Sequence, residues 1–151
     1  MSDAPHGIRM IDVGEKPVSL RTARASGRLR ALPETIRRIR AGELEKGDAV
    51  ATARIAGIMA AKRTSEIIPL CHPLPLDSVT ITIGFEEAAV TIEAVVRATA
   101  RTGVEMEALV AVTAAGLAIY DMTKSIDPAM TLDAVRLEAK TGGVRGDYVR
   151  S

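Results

Sequence analysis

The chain is nearly free of aromatic residues: Phe85, Tyr120 and Tyr148 are 2% of its 151 residues, and tryptophan is absent. A sheet that reads unpaired RNA bases needs rings to stack them on, so that class of function is excluded. Cysteine is equally scarce. Cys71 stands alone, so no disulfide can close within the chain, which suits a reducing cytoplasm. His6 and His72 are the only histidines, and with one thiol they fall short of a zinc-ligand set. The formal net charge of +1 is too small for a general grip on nucleic acid. No basic stretch followed by an apolar core opens the sequence, so no secretory signal is expected. The longest uncharged apolar run, residues 108–120, is too short for a bilayer and is bracketed by Glu105, Glu107, Asp121 and Lys124. It reads as a buried helix.

What remains is ordinary globular composition, 47% hydrophobic and 26% charged, in a length that fits one domain. A loose arm over residues 1–9 and a single catalytic domain over residues 10–151 are expected. Charge is uneven: residues 1–46 carry ten Lys/Arg against six Asp/Glu. That excess is either a solvated arginine-rich surface or a lip for an anionic ligand.

Periodicity gives the elements. Residues 18–30 alternate as a polar, arginine-bearing strand. Pro33 suits a first helical turn, and residues 34–41 form a short helix ended by Gly42. Asp48 opens a second helix whose only charge over residues 49–61 is Arg54; apolar nearly all round, it must pack on several sides. Three prolines between Pro69 and Pro75 make that stretch a rigid loop. Val79, Ile81, Ile83 and Phe85, then Val90, Ile92, Ala94, Val96 and Ala98, mark the faces of a hairpin. A long helix over residues 104–124 follows. A last strand over residues 134–140 has Val135, Leu137 and Ala139 on one face. This order predicts a ferredoxin-like α+β sandwich: a four-stranded antiparallel sheet with helices packed on one face. The opposite sheet face, rich in Thr, Arg and Glu, is left for solvent or another subunit.

Several residues have chemical potential. Asp121 and Lys124 share a face at the end of the long helix. There the negative pole of the macrodipole disfavours a charged carboxylate, whereas Lys124 pulls the other way. The pair is either a surface ion pair at a fraying end or an acid–base device. Glu105 and Glu107 flank Met106 at the helix start, where acids ordinarily complement the dipole. Glu107 and Asp121 lie about 21 Å apart along one face, so one small reacting group cannot touch both within a single subunit. Either the ligand is long, or antiparallel pairing of two such helices brings one subunit's start to the other's end; the second, a site at a dimer interface, is the favoured reading. Cys71 and His72, adjacent in an extended loop, point apart and make a poor nucleophile pair. His72 is either a phosphate-binding or proton-moving group or a histidine satisfied within a tight turn. Lys46-Gly47, Arg101-Thr102-Gly103 and Lys140-Thr141-Gly142-Gly143 pair basic charge with glycines that free the backbone to approach an anion. None is a Walker loop or a dinucleotide fingerprint.

In order along the chain these pieces resemble molybdenum cofactor biosynthesis protein C, the cyclic pyranopterin monophosphate synthase family. The resemblance covers residues 10–148. It runs through Met10-Ile11-Asp12-Val13 with Lys16 and Arg21, Lys46-Gly47-Asp48, Ala53-Arg54-Ile55-Ala56-Gly57-Ile58-Met59-Ala60-Ala61-Lys62-Arg63-Thr64 and Ile68-Pro69-Leu70-Cys71-His72-Pro73-Leu74. It continues through Thr102-Gly103-Val104-Glu105-Met106-Glu107-Ala108-Leu109, Ile119-Tyr120-Asp121-Met122 with Lys124, and Lys140-Thr141-Gly142-Gly143. It implies a phosphorus–oxygen lyase that converts (8S)-3′,8-cyclo-7,8-dihydroguanosine 5′-triphosphate to cyclic pyranopterin monophosphate and pyrophosphate. It also implies a cytoplasmic homohexamer built as a trimer of dimers, with sites at dimer interfaces and no metal or other cofactor. Asp121 and Lys124 match the acid–base pair, and Lys46 is a third catalytic candidate. Leu70, Cys71, His72, Glu105, Met106 and Glu107 match substrate-binding segments, and Arg21 and Lys140 the basic lining. The family's tail Gly-Gly-Lys-Ser-Gly is here Gly142-Gly143-Val144-Arg145-Gly146, so any role of a tail lysine is lost or shifted to Arg145. Thr123 replaces a usual cysteine. The rival reading is a non-catalytic ferredoxin-like nucleotide-binding oligomer.

Overall fold

The computed structural model describes residues 7–151; His6 and most of the expected arm lie outside the described residues. Strand β1 (Ser19–Arg30) is followed by helices α1 (Pro33–Ala41), α2 (Ala49–Lys62) and the short α3 (Thr64–Ile67). Then come β2 (Ser78–Glu86), β3 (Ala89–Ala100), α4 (Glu105–Thr123), β4 (Thr131–Thr141) and β5 (Tyr148–Val149). All pairings are antiparallel, in the order β2-β3-β1-β4-β5. The sheet therefore has five strands, not the expected four. The addition is a two-residue strand after a turn at residues 143–146, pairing Ala139 with Val149 and Lys140 with Tyr148. Two residues are too few to show a period in sequence.

The alternation of β1, β2 and β3 sends Ala23, Ala25, Leu29, Ile81, Val90, Ile92, Ala94 and Val96 toward the helices, where they are buried. Against them α4 sets Ala108, Ala111, Val112, Ala115 and Ile119, each 0% exposed. By length and composition α4 would cross a membrane, but this stripe lies against the sheet as in a core helix. Arg24–Glu93 (3.3 Å), Arg30–Asp133 (2.6 Å) and Arg28–Glu86 ion pairs cover the opposite sheet face.

Helix α2 departs from expectation. Its buried residues are Ala49, Ala53, Gly57 and Ala61, small side chains on one face. They let α2 approach α4 closely: a Cβ on Gly57 would meet the Ala111 carbonyl at 3.0 Å. Asp48 caps the helix, accepting from the Ala51 amide at 3.0 Å. Two of the larger apolar side chains point away, Ile55 at 65% exposed and Met59 at 41%, whereas Ile58 packs against the core; Leu117 of α4 is 55% exposed. Within one chain this helix is packed on one side only.

Strand β4 also corrects the sequence reading. Leu137 pairs with Ala25 and Ala139 with Arg24, so Glu138 is an extra residue, a β-bulge. A second irregularity sets Ala134 and Val135 opposite Gly27, with Ala134 at φ 52°. The bulge at Glu138 reverses the side-chain sense beyond it. Ala139 leaves the face shared by Val135 and Leu137, and Lys140, opposite Ala23, turns to the helix side.

A buried carboxylate clips the start of α1 to the loop after α4. Asp127, 3% exposed, accepts from the Leu32 amide and the Thr35 hydroxyl, both at 2.9 Å. Asp127→Ala strands the buried Thr35 hydroxyl and leaves the Leu32 amide at the start of α1 without its carboxylate acceptor. It is expected to cost about 1–3 kcal/mol, or roughly 2–4 °C in melting temperature per kcal/mol, readable by thermal denaturation.

Candidate functional site

The sequence-predicted residues fall into two groups, one at each end of α4. At its end, Asp121 lies between two lysines. Lys46, on the loop joining α1 to α2, places its Nζ 2.9 Å from Asp121 Oδ2 and 3.3 Å from the Asp121 carbonyl. Lys124, one turn onward, places its Nζ 2.9 Å from Asp121 Oδ1. Lys46 therefore neutralises the side chain and also caps the helix C-terminus. All three side chains are about half exposed. The adjoining hollow of about 400 Å³ is lined by Lys46, Arg38, Leu44, Met122 and Ser125.

The upward shift that the helix dipole implied for Asp121 does not occur. Hydrogen bonds from Lys46 and Lys124, and then their charges, lower its pKa to about 2. Two ammonium groups at bonding distance outweigh the partial charge of a helix end. Lys124 is raised in turn by the hydrogen bond and charge of Asp121. Asp121 thus holds two lysine nitrogens in place rather than acting as a poised acid.

The start of α4 borders a second cavity. Cys71, His72, Leu70, Thr102, Gly103, Glu105, Met106 and Lys16 line a cavity of about 350 Å³. Glu107, next along, is 3% exposed, and its Oε2 has no hydrogen-bond partner among the described residues. Cys71 Sγ lies 3.8 Å from Glu107 Oε1 and 3.9 Å from the His72 carbonyl. The thiol thus faces a carboxyl rather than the imidazole. Burial, then the Glu107 charge, pushes the Cys71 thiol up, the opposite of what activates a thiolate nucleophile. Glu107 is itself raised, chiefly by burial, with opposing contributions from its own backbone amide and from Cys71.

The linkage sign follows: an acid whose folded pKa exceeds its unfolded value stabilises the fold when protonated and costs stability once ionised. Glu107→Gln is therefore expected to melt at or above the parent at pH 8. That advantage should shrink as pH falls toward 4.5, which melting curves across this range check.

Basic residues complete this end. Arg21 of β1 is 4% exposed; its Nε donates to the Ala100 carbonyl (3.3 Å) and its Nη2 to the Pro17 carbonyl (3.5 Å). No carboxylate pairs with it among the described residues, an arrangement suited to an incoming anion. Lys140, turned inward by the β4 bulge, reaches Glu105 Oε1 at 3.2 Å. Among the described residues no three His, Cys, Asp or Glu side chains group as a metal site.

One chain therefore brings Asp121, Lys124 and Lys46 together, and separately Glu105, Glu107, Cys71, His72 and Lys140, without joining the groups; Arg21 is held by the Ala100 and Pro17 carbonyls and does not line that cavity. Sequence reasoning missed two supporting residues. Arg38 borders the Lys46 hollow, and its place on a charged helix gave no signal. Asp127 clips α1, which leads to the Lys46 loop; as a lone acid in a short loop it also gave none.

Residues 10–143 match the MoaC family. A cyclic pyranopterin monophosphate synthase of Streptomyces griseus is 52% identical over 149 residues, covering 99% of this chain and 84% of the relative. Proteins of the same name from a Roseiflexus species and Herpetosiphon aurantiacus are 53% and 56% identical. The first match covers 99% of both chains, the second 92% of this chain and 86% of the relative.

Proposed function

The chain belongs to the MoaC family, and from that premise we propose that it is a cyclic pyranopterin monophosphate synthase of molybdenum cofactor biosynthesis. Its substrate is (8S)-3′,8-cyclo-7,8-dihydroguanosine 5′-triphosphate, and its products are cyclic pyranopterin monophosphate and pyrophosphate. The observation that carries this reading is Asp121 held between Lys46 and Lys124 at 2.9 Å on each side. Such chemistry opens a purine ring, rebuilds a pterin and closes a cyclic phosphate. In the last step a hydroxyl oxygen of the substrate attacks the α-phosphorus, the bond to the β-phosphate oxygen breaks, and pyrophosphate leaves with that oxygen. This makes the enzyme a phosphorus–oxygen lyase. Every stage moves protons, and two oriented ammonium groups supply donors and steady the developing negative charge. Asp121 keeps them positioned and charged.

The cavity group binds. Leu70, Cys71, His72, Met106 and Glu107 hold the base-derived ring. Arg21 and Lys140 take the triphosphate, to which a guanidinium without a counterion is well suited. The described residues from 10 to 151 act as one catalytic unit. Their four long strands, in the order β2-β3-β1-β4, are consistent with a ferredoxin-like plan extended by β5. A lone thiol is consistent with a cytoplasmic enzyme.

The two groups become one site when subunits pair. Ile55 and Met59 of α2 and Leu117 of α4 are exposed, apolar surface that antiparallel pairing with a second copy would bury. The start of one α4 then meets the end of the other, in a dimer that assembles into a hexamer. The direct test supplies purified protein with the cyclic triphosphate and follows pyrophosphate release. Steady release at the rate of cyclic pyranopterin monophosphate formation supports the reading. A protein that binds the triphosphate and releases nothing is the non-catalytic nucleotide-binding oligomer instead.

A further inference from the structure

We propose that Glu105 is a resident counterion for Lys140 that gives way when substrate phosphate arrives, and so sets how readily pyrophosphate leaves. The inference rests on the synthase reading. It assigns Glu105 the opposite of its expected role: the residue competes with the substrate's charge rather than contacting the substrate.

Three features converge on this. Lys140 faces the helix side only because the bulge at Glu138 reverses the sense of β4, pairing Lys140 with Ala23. There its ammonium meets Glu105 Oε1 at 3.2 Å, both side chains being about two-thirds withdrawn from solvent. The Glu105 carboxylate folds back over Gly103, in space that a Cβ would occupy: such an atom would lie 2.4–2.7 Å from the carboxylate atoms. Glu105 and Gly103 also line the cavity beside His72 and Lys16. Arg21, on the same side of β1 as Ala23, has no carboxylate partner among the described residues, whereas the charge of Lys140 is masked.

A single exposed-edge carboxylate is a weak ligand for an ammonium group. A triphosphate or pyrophosphate carries several charges and more acceptor oxygens, so it displaces the carboxylate. On displacement Glu105 becomes a negative charge beside the bound anion, which favours release of the product. The residue thus trades affinity for turnover.

The test uses the full-length protein and inorganic pyrophosphate alone, with binding read by calorimetry. Glu105→Gln is expected to bind pyrophosphate about tenfold more tightly, and the gain should vanish in a Lys140→Ala background, as a double-mutant cycle reads coupling. In turnover the same variant should show a lower KM and stronger inhibition by added pyrophosphate. Equal or weaker pyrophosphate binding by Glu105→Gln, including no binding by either form, overturns the proposal. A gain that persists without Lys140 also overturns it. The calorimetric comparison needs no catalysis, so it stands or fails separately from the synthase reading, which fails if the parent releases no pyrophosphate from the cyclic triphosphate.

Discussion

Asp121→Asn is expected to lower turnover by about 100-fold or more, the loss typical when an acid–base group is disabled, while the protein stays folded. The side chain is half exposed and makes no buried contact, so the fold does not depend on it. What it does is hold two ammonium groups 2.9 Å from its two oxygens. Asparagine keeps the shape but loses the charge, and its amide nitrogen turns a donor toward a lysine donor. Lys124→Ala and Lys46→Ala should each fall by a similar factor, because each removes one of the paired proton donors. The double variant should fall far less than the product of the single losses, since residues acting as one unit are not additive. Circular dichroism and melting temperature verify folding, and pyrophosphate release measures the rate. Near-normal rates in both Asp121→Asn and Lys124→Ala remove these residues from catalysis. The carboxyl titration provides a further check: its midpoint, about 2 in the parent, should rise toward 3.8 in Lys46→Ala. Any stability from these ion pairs is present above the ordinary aspartate pKa and is lost as pH falls through about 2.

How much of this was legible depended on whether a feature is local. The period-2 pattern of residues 79–85 and 90–98 placed β2 and β3 on the right faces, and Pro33, Gly42 and Asp48 marked helix ends where the structure has them. Gly42, at φ 71°, is the left-handed stop that a glycine permits. Features created by distant partners were not legible. The bulge at Glu138 depends on pairing with β1 and reverses Lys140, yet nothing in residues 134–140 departs from simple alternation. The balance at Asp121 stayed open in sequence because the opposing pulls of the helix dipole and Lys124 are both visible around α4, whereas Lys46, which tips it, lies 75 residues away. Hydrophobicity reads α2 as packed on several sides; the spacing of Ala49, Ala53, Gly57 and Ala61 held the truer signal, a narrow seam of small residues. Prolines after Pro69 hid the one-turn α3 before them. Charge excess near the N-terminus was ambiguous in sequence. In the structure it includes solvent-facing ion pairs such as Arg30–Asp133 and the buried Arg21, which has no carboxylate partner among the described residues.

The placement of two residue groups about 21 Å apart on one helix leaves a simple question about subunits. Glu107→Ala damages the binding end of α4 and Asp121→Asn the proton-moving end, so either pure preparation should be nearly inactive. In a mixed two-fold pair the interface carries two sites. One combines both lesions; the other takes Glu107 from one chain and Asp121 from its partner, and is intact. Random pairing makes half of the dimers mixed, so roughly a quarter of parental activity should return. The decisive measurement is pyrophosphate release after the two inactive variants have been mixed and their exchange verified by mass spectrometry. Recovery near one quarter is the predicted result. Fully exchanged subunits that remain as inactive as either parent preparation would contradict a site shared between two chains.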